Sequence, residues 1–200
     1  MTSIAIIPAR GGSVRIPRKN IRLFHGRPII TYSIETATHS GLFDHIVVST
    51  DDDEIAAISM AAGAEVFRRP PDAGIRGTQE VAREALWHYV DQKSLGRNWA
   101  CCIYPTAPLM MAGDLKEGLA ALFEQDDYAD YAMAVGTDPL RDAGQWYFGA
   151  MDAFLENMPL ISIRTAMVPI PDARICDINT EEDWNEALRL YTKLWGIPKA

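Results

Sequence analysis

The sequence predicts an α/β protein, a Rossmann-like three-layer α/β/α domain built on a mainly parallel sheet. Three observations carry that expectation. Short apolar runs alternate with stretches of helical periodicity, which is the pattern of βαβ crossovers. The runs are apolar at nearly every position, as strands buried on both faces must be. The helical stretches open on polar residues and several close on glycine. With 200 residues, of which 48% are hydrophobic and 23% charged, the chain supports one substantial core, so a single domain over 1–200 is expected.

The elements follow in chain order. Ile4 to Pro8 is the first predicted strand. Pro28 to Ser40 is a helix stopped by Gly41. Ile46 to Thr50 is the next strand, and Asp52 to Ala62 a helix that opens after Thr50-Asp51 and stops at Gly63. Asp51, Asp52 and Asp53 read as charges at a helix start, where they complement the helix dipole, rather than as metal ligands. A helix over Thr78 to Gln92 precedes a strand from Cys101 to Tyr104, and a helix over Asp114 to Glu124 precedes one from Tyr131 to Val135. Gln145 to Phe148 and Met167 to Ile170 complete the strands. Glu181 to Leu194 is the last helix, and Thr180-Glu181-Glu182-Asp183 reads as its capping box.

Charge and cysteine usage remove several classes of function. Nineteen Lys and Arg against 27 Asp and Glu give a net charge of -8, so the overall field does not favour nucleic acid or an anionic membrane. Yet Arg10, Arg15, Arg18, Lys19, Arg22 and Arg27 fall together with no acidic residue among them, a local anion site on an acidic body. No run approaches the roughly 18 apolar residues of a membrane helix, and the N-terminus turns polar too early for a secretion signal, so a cytoplasmic protein is expected. Cys101, Cys102 and Cys176 have neither disulfide nor zinc spacing, and the adjacent pair reads as buried small hydrophobes. No histidine has metal spacing, and the five tryptophans read as core or interface.

In a parallel sheet ligands bind beyond the carboxyl ends of the strands. The loop after the first strand, Pro8-Ala9-Arg10-Gly11-Gly12-Ser13-Val14-Arg15-Ile16-Pro17-Arg18-Lys19-Asn20, is therefore the candidate site. Paired glycines let backbone N–H groups approach an anion, and the cations neutralise it. It is neither Gly-x-x-x-x-Gly-Lys-Ser/Thr nor Gly-x-Gly-x-x-Gly, which weighs against a P-loop hydrolase or a dinucleotide dehydrogenase.

Ile6-Ile-Pro-Ala-Arg-Gly-Gly-Ser13, continuing through Arg15-Ile-Pro-Arg-Lys-Asn-Ile21, resembles the signature loop of the nonulosonic acid cytidylyltransferases, the CMP-sialic acid synthetase group. Gly26-Arg-Pro-Ile-Ile, Val47-Val-Ser-Thr-Asp-Asp and Arg69-Pro-Pro fall in the family's order. Tyr104-Pro-Thr-Ala-Pro, Asp142-Ala-Gly-Gln-Trp-Tyr and Asp177-Ile-Asn-Thr-Glu-Glu-Asp-Trp are most similar to its pseudaminic acid cytidylyltransferase branch.

The resemblance implies a fold of the nucleotide-diphospho-sugar transferase type, and transfer of CMP from CTP to the anomeric hydroxyl of a nonulosonic acid, pseudaminic acid ahead of sialic acid, with release of pyrophosphate. It implies Mg2+ as cofactor and a homodimer, with no nucleic-acid or membrane partner. It assigns Ala9, Arg10, Gly11, Gly12, Ser13 and Lys19 to the triphosphate, Asn20 to closing the loop, Arg69 (or its neighbour Arg68), Pro105 and Thr106 to the nucleotide, and Tyr104, Gln145 and Tyr147 to the sugar side. Arg10, Lys19 and Asp177 would be catalytic, with Asp177 and Asn179 at the metal. Taken on their own, Gln145 to Phe148 also read as a plain half-buried strand, and Asp177 as a turn or cap residue.

Three departures from the family pattern bear on these expectations. Val14 stands where the family usually has lysine, and a missing ammonium should weaken triphosphate binding or slow transfer. Asp72-Ala-Gly-Ile-Arg-Gly-Thr78 lacks the acidic, threonine-containing run expected there and is shorter. Between Thr137 and Asp142 the family inserts a few tens of residues, including a dimerisation arm, so that arm is missing or unrepresented near 137–142. The alternatives are a CMP-N-acetylneuraminate synthetase, or a catalytically impaired nucleotide or nucleotide-sugar binding protein on the same fold.

Overall fold

A computed structural model describes residues 2–70, 77–89, 98–124, 129–137 and 141–196. The elements in order are β1 (Ser3–Pro8), β2 (Leu23–Phe24), β3 (Arg27–Pro28), α1 (Ile30–Ser40), β4 (His45–Thr50), α2 (Asp53–Ala61), β5 (Glu65–Arg68), α3 (Thr78–Tyr89), β6 (Trp99–Ile103), α4 (Ala112–Phe123), β7 (Tyr131–Val135), β8 (Asp142–Ala150), α5 (Met151–Leu155), β9 (Thr165–Pro169) and α6 (Glu181–Trp195). The end of the expected Thr78–Gln92 helix, most of the 72–78 departure and residues 138–140 of the shortened junction lie outside the described residues.

The main sheet runs β5-β4-β1-β6-β8-β7-β9. Four of its pairings are parallel, and β8 runs antiparallel to both β6 and β7. Side-chain alternation divides the core between two faces. Ala5, Ile7, Cys101, Ile103, Trp146 and Phe148 face one side with Ile30, Ile34, Leu115 and Leu122 of α1 and α4. Ile4, Ile6, Ala100, Cys102, Tyr131 and Tyr147 face the other with Ala82, Leu86, Met151 and Phe154 of α3 and α5. Helices therefore cover both faces, as three layers require.

Several elements are additions to the sequence reading. β5 and α5 have four and five residues, too short to show a period of their own. β2 and β3 form a hairpin across His25 and Gly26, both with positive φ (45° and 84°), the requirement of the tight turn whose twist matches the flanking strands. Phe24 of that hairpin packs with Ile16, Tyr32, Trp184 and Ala187, so α6 closes a third, smaller core beside the sheet. β8 is buried on both faces rather than half-buried, with Gln145, Trp146, Tyr147 and Phe148 all at or below 4% exposure. The reason is its position between β6 and β7, under α4 on one side and the α3–α5 layer on the other. Among the described residues no helix is long and apolar enough to cross a membrane.

Candidate active site

β1 pairs with β4 on one side and β6 on the other, and the connection after β1 runs toward β4 whereas the connection after β6 runs the opposite way, toward β7. That makes the carboxyl end of β1 a topological switch point, with a crevice between the loops that follow β1 and β6. A cavity of about 290 Å³ opens there, and its wall includes Arg10, Ser13, Lys19, Arg69, Thr106 and Asn179. Val14, Arg15, Asn20, Tyr104 and Pro105 also reach it. Four cations and no carboxylate line the cavity among the described residues, the electrostatics of a polyanion site.

The loop is held by contacts that start from buried anchors. Ala9 donates its N–H to the Ser49 carbonyl at 2.9 Å, extending the β1–β4 ladder by one residue. Ile16 is fully buried in the hairpin core and pins the middle of the loop. Asn20, itself buried, donates its side-chain N–H to the Arg10 carbonyl at 2.9 Å and so closes the loop into a ring of eleven residues. Gly11 donates its N–H to Asp51 Oδ1 at 2.8 Å. A side chain could not stand at Gly11, since an added Cβ would lie 2.5 Å from Asp52 Oδ2.

Lys19 bridges the two ends of the site. Its Nζ donates to the Ile178 carbonyl at 2.5 Å, joining the phosphate loop to the 175–179 segment. Burial lowers its pKa; nearby Asp177 opposes that shift, whereas Arg15 and Arg10 add to it. The result is an ammonium surrounded by two guanidinium groups, which an incoming polyanion would stabilise.

The 175–179 segment carries Asp177, exposed, whose Oδ2 accepts from Asn179 Nδ2 at 2.6 Å. With its amide nitrogen engaged, Asn179 leaves its carbonyl oxygen as the free donor atom. Asp177 stands beside Gly144 of β8, where an added Cβ would lie 3.6 Å from its carboxyl carbon. Among the described residues no group of three His, Cys, Asp or Glu side chains could cage a metal. One carboxylate, one amide oxygen and water do fit a hard divalent cation that takes its other ligands from substrate phosphates, the usual arrangement for Mg2+.

On the remaining side, Tyr104 shares a 2.8 Å hydroxyl contact with Thr78 and stands edge-on to Tyr147. Tyr147 donates to Asp142 Oδ2 at 2.5 Å. Burial, reinforced by that bond, pushes the Tyr147 phenol far above its ordinary value. Gln145 donates Nε2 to the Arg174 carbonyl at 2.5 Å, while its Oε1 is buried with no hydrogen-bond partner. Arg174 in turn forms a buried ion pair with Asp114 of α4.

Of the residues singled out from sequence, Arg10, Ser13, Lys19, Asn20, Arg69, Tyr104, Pro105, Thr106 and Asn179 meet at the cavity. Ala9 is buried beneath it, Gly11 and Gly12 lie in the adjoining turn, and Gln145, Tyr147 and Asp177 lie outside its lining. Arg69 rather than Arg68 faces the cavity; Arg68 pairs with Asp53. Arg15, Thr78 and Val81 were unassigned in the sequence. Arg15 was visible in the basic run, but nothing in the spacing of Thr78 and Val81 places α3 against Tyr104. Cys101 and Cys102 are fully buried as expected, and burial pushes the Cys102 thiol up to about 12.

Residues 4–150 match the family model described as cytidylyltransferase. The chain is 33% identical to a pseudaminic acid cytidylyltransferase of Campylobacter jejuni, over 226 aligned positions covering 96% of this chain and 97% of the relative. Because 96% of 200 residues spreads over 226 positions, about thirty positions of the alignment have no residue in this chain. A CMP-N,N'-diacetyllegionaminic acid synthase of the same species is 52% identical over 64 residues, covering 32% of this chain and 27% of that relative. Among solved structures, a CMP:2-keto-3-deoxy-manno-octonic acid synthetase complexed with CTP superposes with a TM-score of 0.77 at 15% identity, covering 97% of this chain and all of that one. Loop, fold and alignment over nearly the whole length agree, and the chain belongs to the cytidylyltransferase family.

Proposed function

We propose that the protein transfers CMP from CTP to the anomeric hydroxyl of a nonulosonic acid, pseudaminic acid before N-acetylneuraminic acid, and releases pyrophosphate. The observation that carries this reading is the cation-lined cavity at the β1 switch point, formed by the loop that the cytidylyltransferases share. In-line attack of the hydroxyl on the α-phosphorus forms one P–O bond and breaks the bond to the leaving pyrophosphate. Catalysis then consists mainly of positioning and charge stabilisation. Arg10, Arg15 and Lys19 take the triphosphate charge, with the Ser13 side chain beside them at the cavity wall.

Asp177 and the Asn179 carbonyl would hold Mg2+. The ion supplies Lewis acidity to the phosphates and a template for the two substrates. Lys19, tied to the Ile178 carbonyl, keeps that carboxylate in register with the loop. Lined by Arg10, Arg15, Lys19 and Arg69, the cavity of about 290 Å³ suits the triphosphate end of the nucleotide. The acceptor would lie on the Tyr104 side of the cavity, with Tyr147 and Gln145 buried behind that wall and supporting it.

A cytoplasmic homodimer completes the proposal. Ile161, Ile163 and Met167, exposed beside the edge strand β9, are the apolar surface that supports self-association. A second reading, nucleotide binding without turnover, is favoured by one observation: Val14, 86% exposed in the loop, offers no charge where the family usually has lysine.

Pyrophosphate release from CTP and Mg2+ with pseudaminic acid, N-acetylneuraminic acid or 3-deoxy-octulosonate, each against CTP alone, tests both. Release stimulated by pseudaminic acid above the others is expected. CTP binding without release on any acceptor would overturn the transferase reading in favour of the binding protein.

A further inference from the structure

The turn between β4 and α2 is forty residues from the phosphate loop in sequence, yet two adjacent carboxylates of that turn hold the loop at two points. Asp51 Oδ1 accepts the Gly11 N–H at 2.8 Å. Asp52 takes both terminal nitrogens of Arg18, one at 3.0 Å, and Arg18 Nη2 also donates to Glu54 at 2.5 Å. Arg18 stands in the left-handed region at φ 57°, a conformation that a non-glycine residue keeps only where its surroundings impose it. Its backbone immediately precedes Lys19 and Asn20, which enter the cavity and close the loop. Neither Asp51, Asp52 nor Arg18 lines the cavity.

The sequence assigns Asp51 and Asp52 only to charging the start of a helix, and Asp52 does that as well, accepting from the Ile55 N–H at 2.9 Å. Charge at a helix start does not require a contact with Gly11, nor a fork on Arg18. Coulomb's law also makes the arrangement costly for an anion site: two carboxylates beside a triphosphate loop repel its ligand. The contacts to Gly11 and Arg18 give these carboxylates a role that offsets the repulsion, that of fixing the loop.

We infer that Asp51 and Asp52 are positioning residues for the triphosphate loop, Asp51 by orienting the Gly11–Gly12–Ser13 turn through the Gly11 N–H and Asp52 by fixing Arg18, and with it Lys19 and Asn20. The inference rests on the reading of this loop as the CTP site. It makes the effect of charge removal opposite in sign to the electrostatic expectation. Taking away a negative charge near an anion site should tighten binding, whereas taking away a clamp should loosen it.

The experiment is direct CTP titration by calorimetry of the full chain with Mg2+, beside thermal melts. Asp51→Ala is expected to weaken CTP binding about tenfold, the size of one hydrogen bond made by a charged group. Asp51→Asn, which keeps an acceptor oxygen for the Gly11 N–H, is expected to recover most of that loss despite its missing charge. Asp52→Ala also removes a helix cap, so its partner is the sharper probe. Arg18→Ala, Asp52→Ala and the double variant should show similar losses, with the double variant no worse than the poorer single one, although the two side chains carry opposite charges.

CTP binding by Asp51→Ala as tight as, or tighter than, wild type, with an unchanged melting temperature, would overturn the inference. So would an equal loss in Asp51→Asn, or additive losses at Arg18 and Asp52. If wild-type protein shows no CTP binding at all, it is the reading of the loop as a CTP site that fails.

Discussion

Val14 illustrates how one side chain tunes the site. It is exposed at the cavity wall among Arg10, Arg15 and Lys19, where a lysine ammonium could reach the same anion. Val14→Lys is expected to tighten CTP binding about threefold to tenfold, as a solvent-exposed charge-assisted contact does; an unchanged dissociation constant in calorimetry would show that the neighbouring arginines already satisfy the triphosphate. Asp177 is the carboxylate proposed for the metal end. It is exposed and makes no core contact, so Asp177→Ala should leave thermal stability within about 0.5 kcal/mol of wild type. Turnover with Mg2+ should nevertheless fall by about a hundredfold or more, because the one carboxylate at the metal end is gone. Unchanged turnover at equal Mg2+ would remove Asp177 from that role. The resemblance to the family made both residues conspicuous, but the sequence did not indicate that Lys19 reaches Ile178, because that contact spans 159 positions.

Elements carry the next level of control. The Asp114–Arg174 pair links the first turn of α4 to the short helical turn before Asp177, with the Asp114 side chain buried and that of Arg174 mostly covered. Asp114 also accepts the Met111 N–H at 2.8 Å, capping α4. Arg174→Ala should therefore destabilise the fold by about 3–5 kcal/mol by leaving a buried carboxylate uncompensated, read as a lower urea midpoint; a loss under about 1 kcal/mol would mean that water reaches Asp114. The capping box of α6 was legible in sequence as Thr180 to Asp183, and the reciprocal bonds are present, with Thr180 Oγ1 accepting from Asp183 N–H at 3.2 Å and Asp183 accepting from Thr180 N–H at 2.8 Å. Thr180→Ala should cost about 1 kcal/mol. β5, α5 and the β2–β3 hairpin were not legible. Each is shorter than the window in which periodicity can be counted, and each exists because a neighbour completes it: β4 pairs with β5, and Phe24 needs Trp184.

At the scale of the molecule, acidity tests the same network. The Arg18 hydrogen bonds hold the Asp52 carboxyl below the ordinary 3.8, Ser3 does so for Asp44, and the Asn179 and Thr180 N–H groups for Asp183. Each group is more acidic folded than unfolded, so the unfolded chain binds more protons between the two values. Their stabilisation is complete above 3.8 and is lost as pH falls through the lower folded values. Unfolding free energy should hold near neutrality and decline below about pH 4; a decline that begins above pH 5 would point to other groups. Sedimentation should give twice the 22.2 kDa chain mass if β9 and its apolar neighbours associate, and a single chain mass would remove the dimer from the proposal.

The sequence by itself determined the α/β class, the position of the glycine- and arginine-rich loop at the end of the first strand, the buried cysteine pair and the cap of the last helix, because each depends on local composition or on spacing within a few residues. Tertiary structure alone decided which of Arg68 and Arg69 faces the cavity, that Thr78 meets Tyr104, and that Asp51 and Asp52 contact the loop after β1. All of these depend on strand order and crossover paths, which bring residues tens of positions apart to one edge of the sheet, and no local pattern encodes that order.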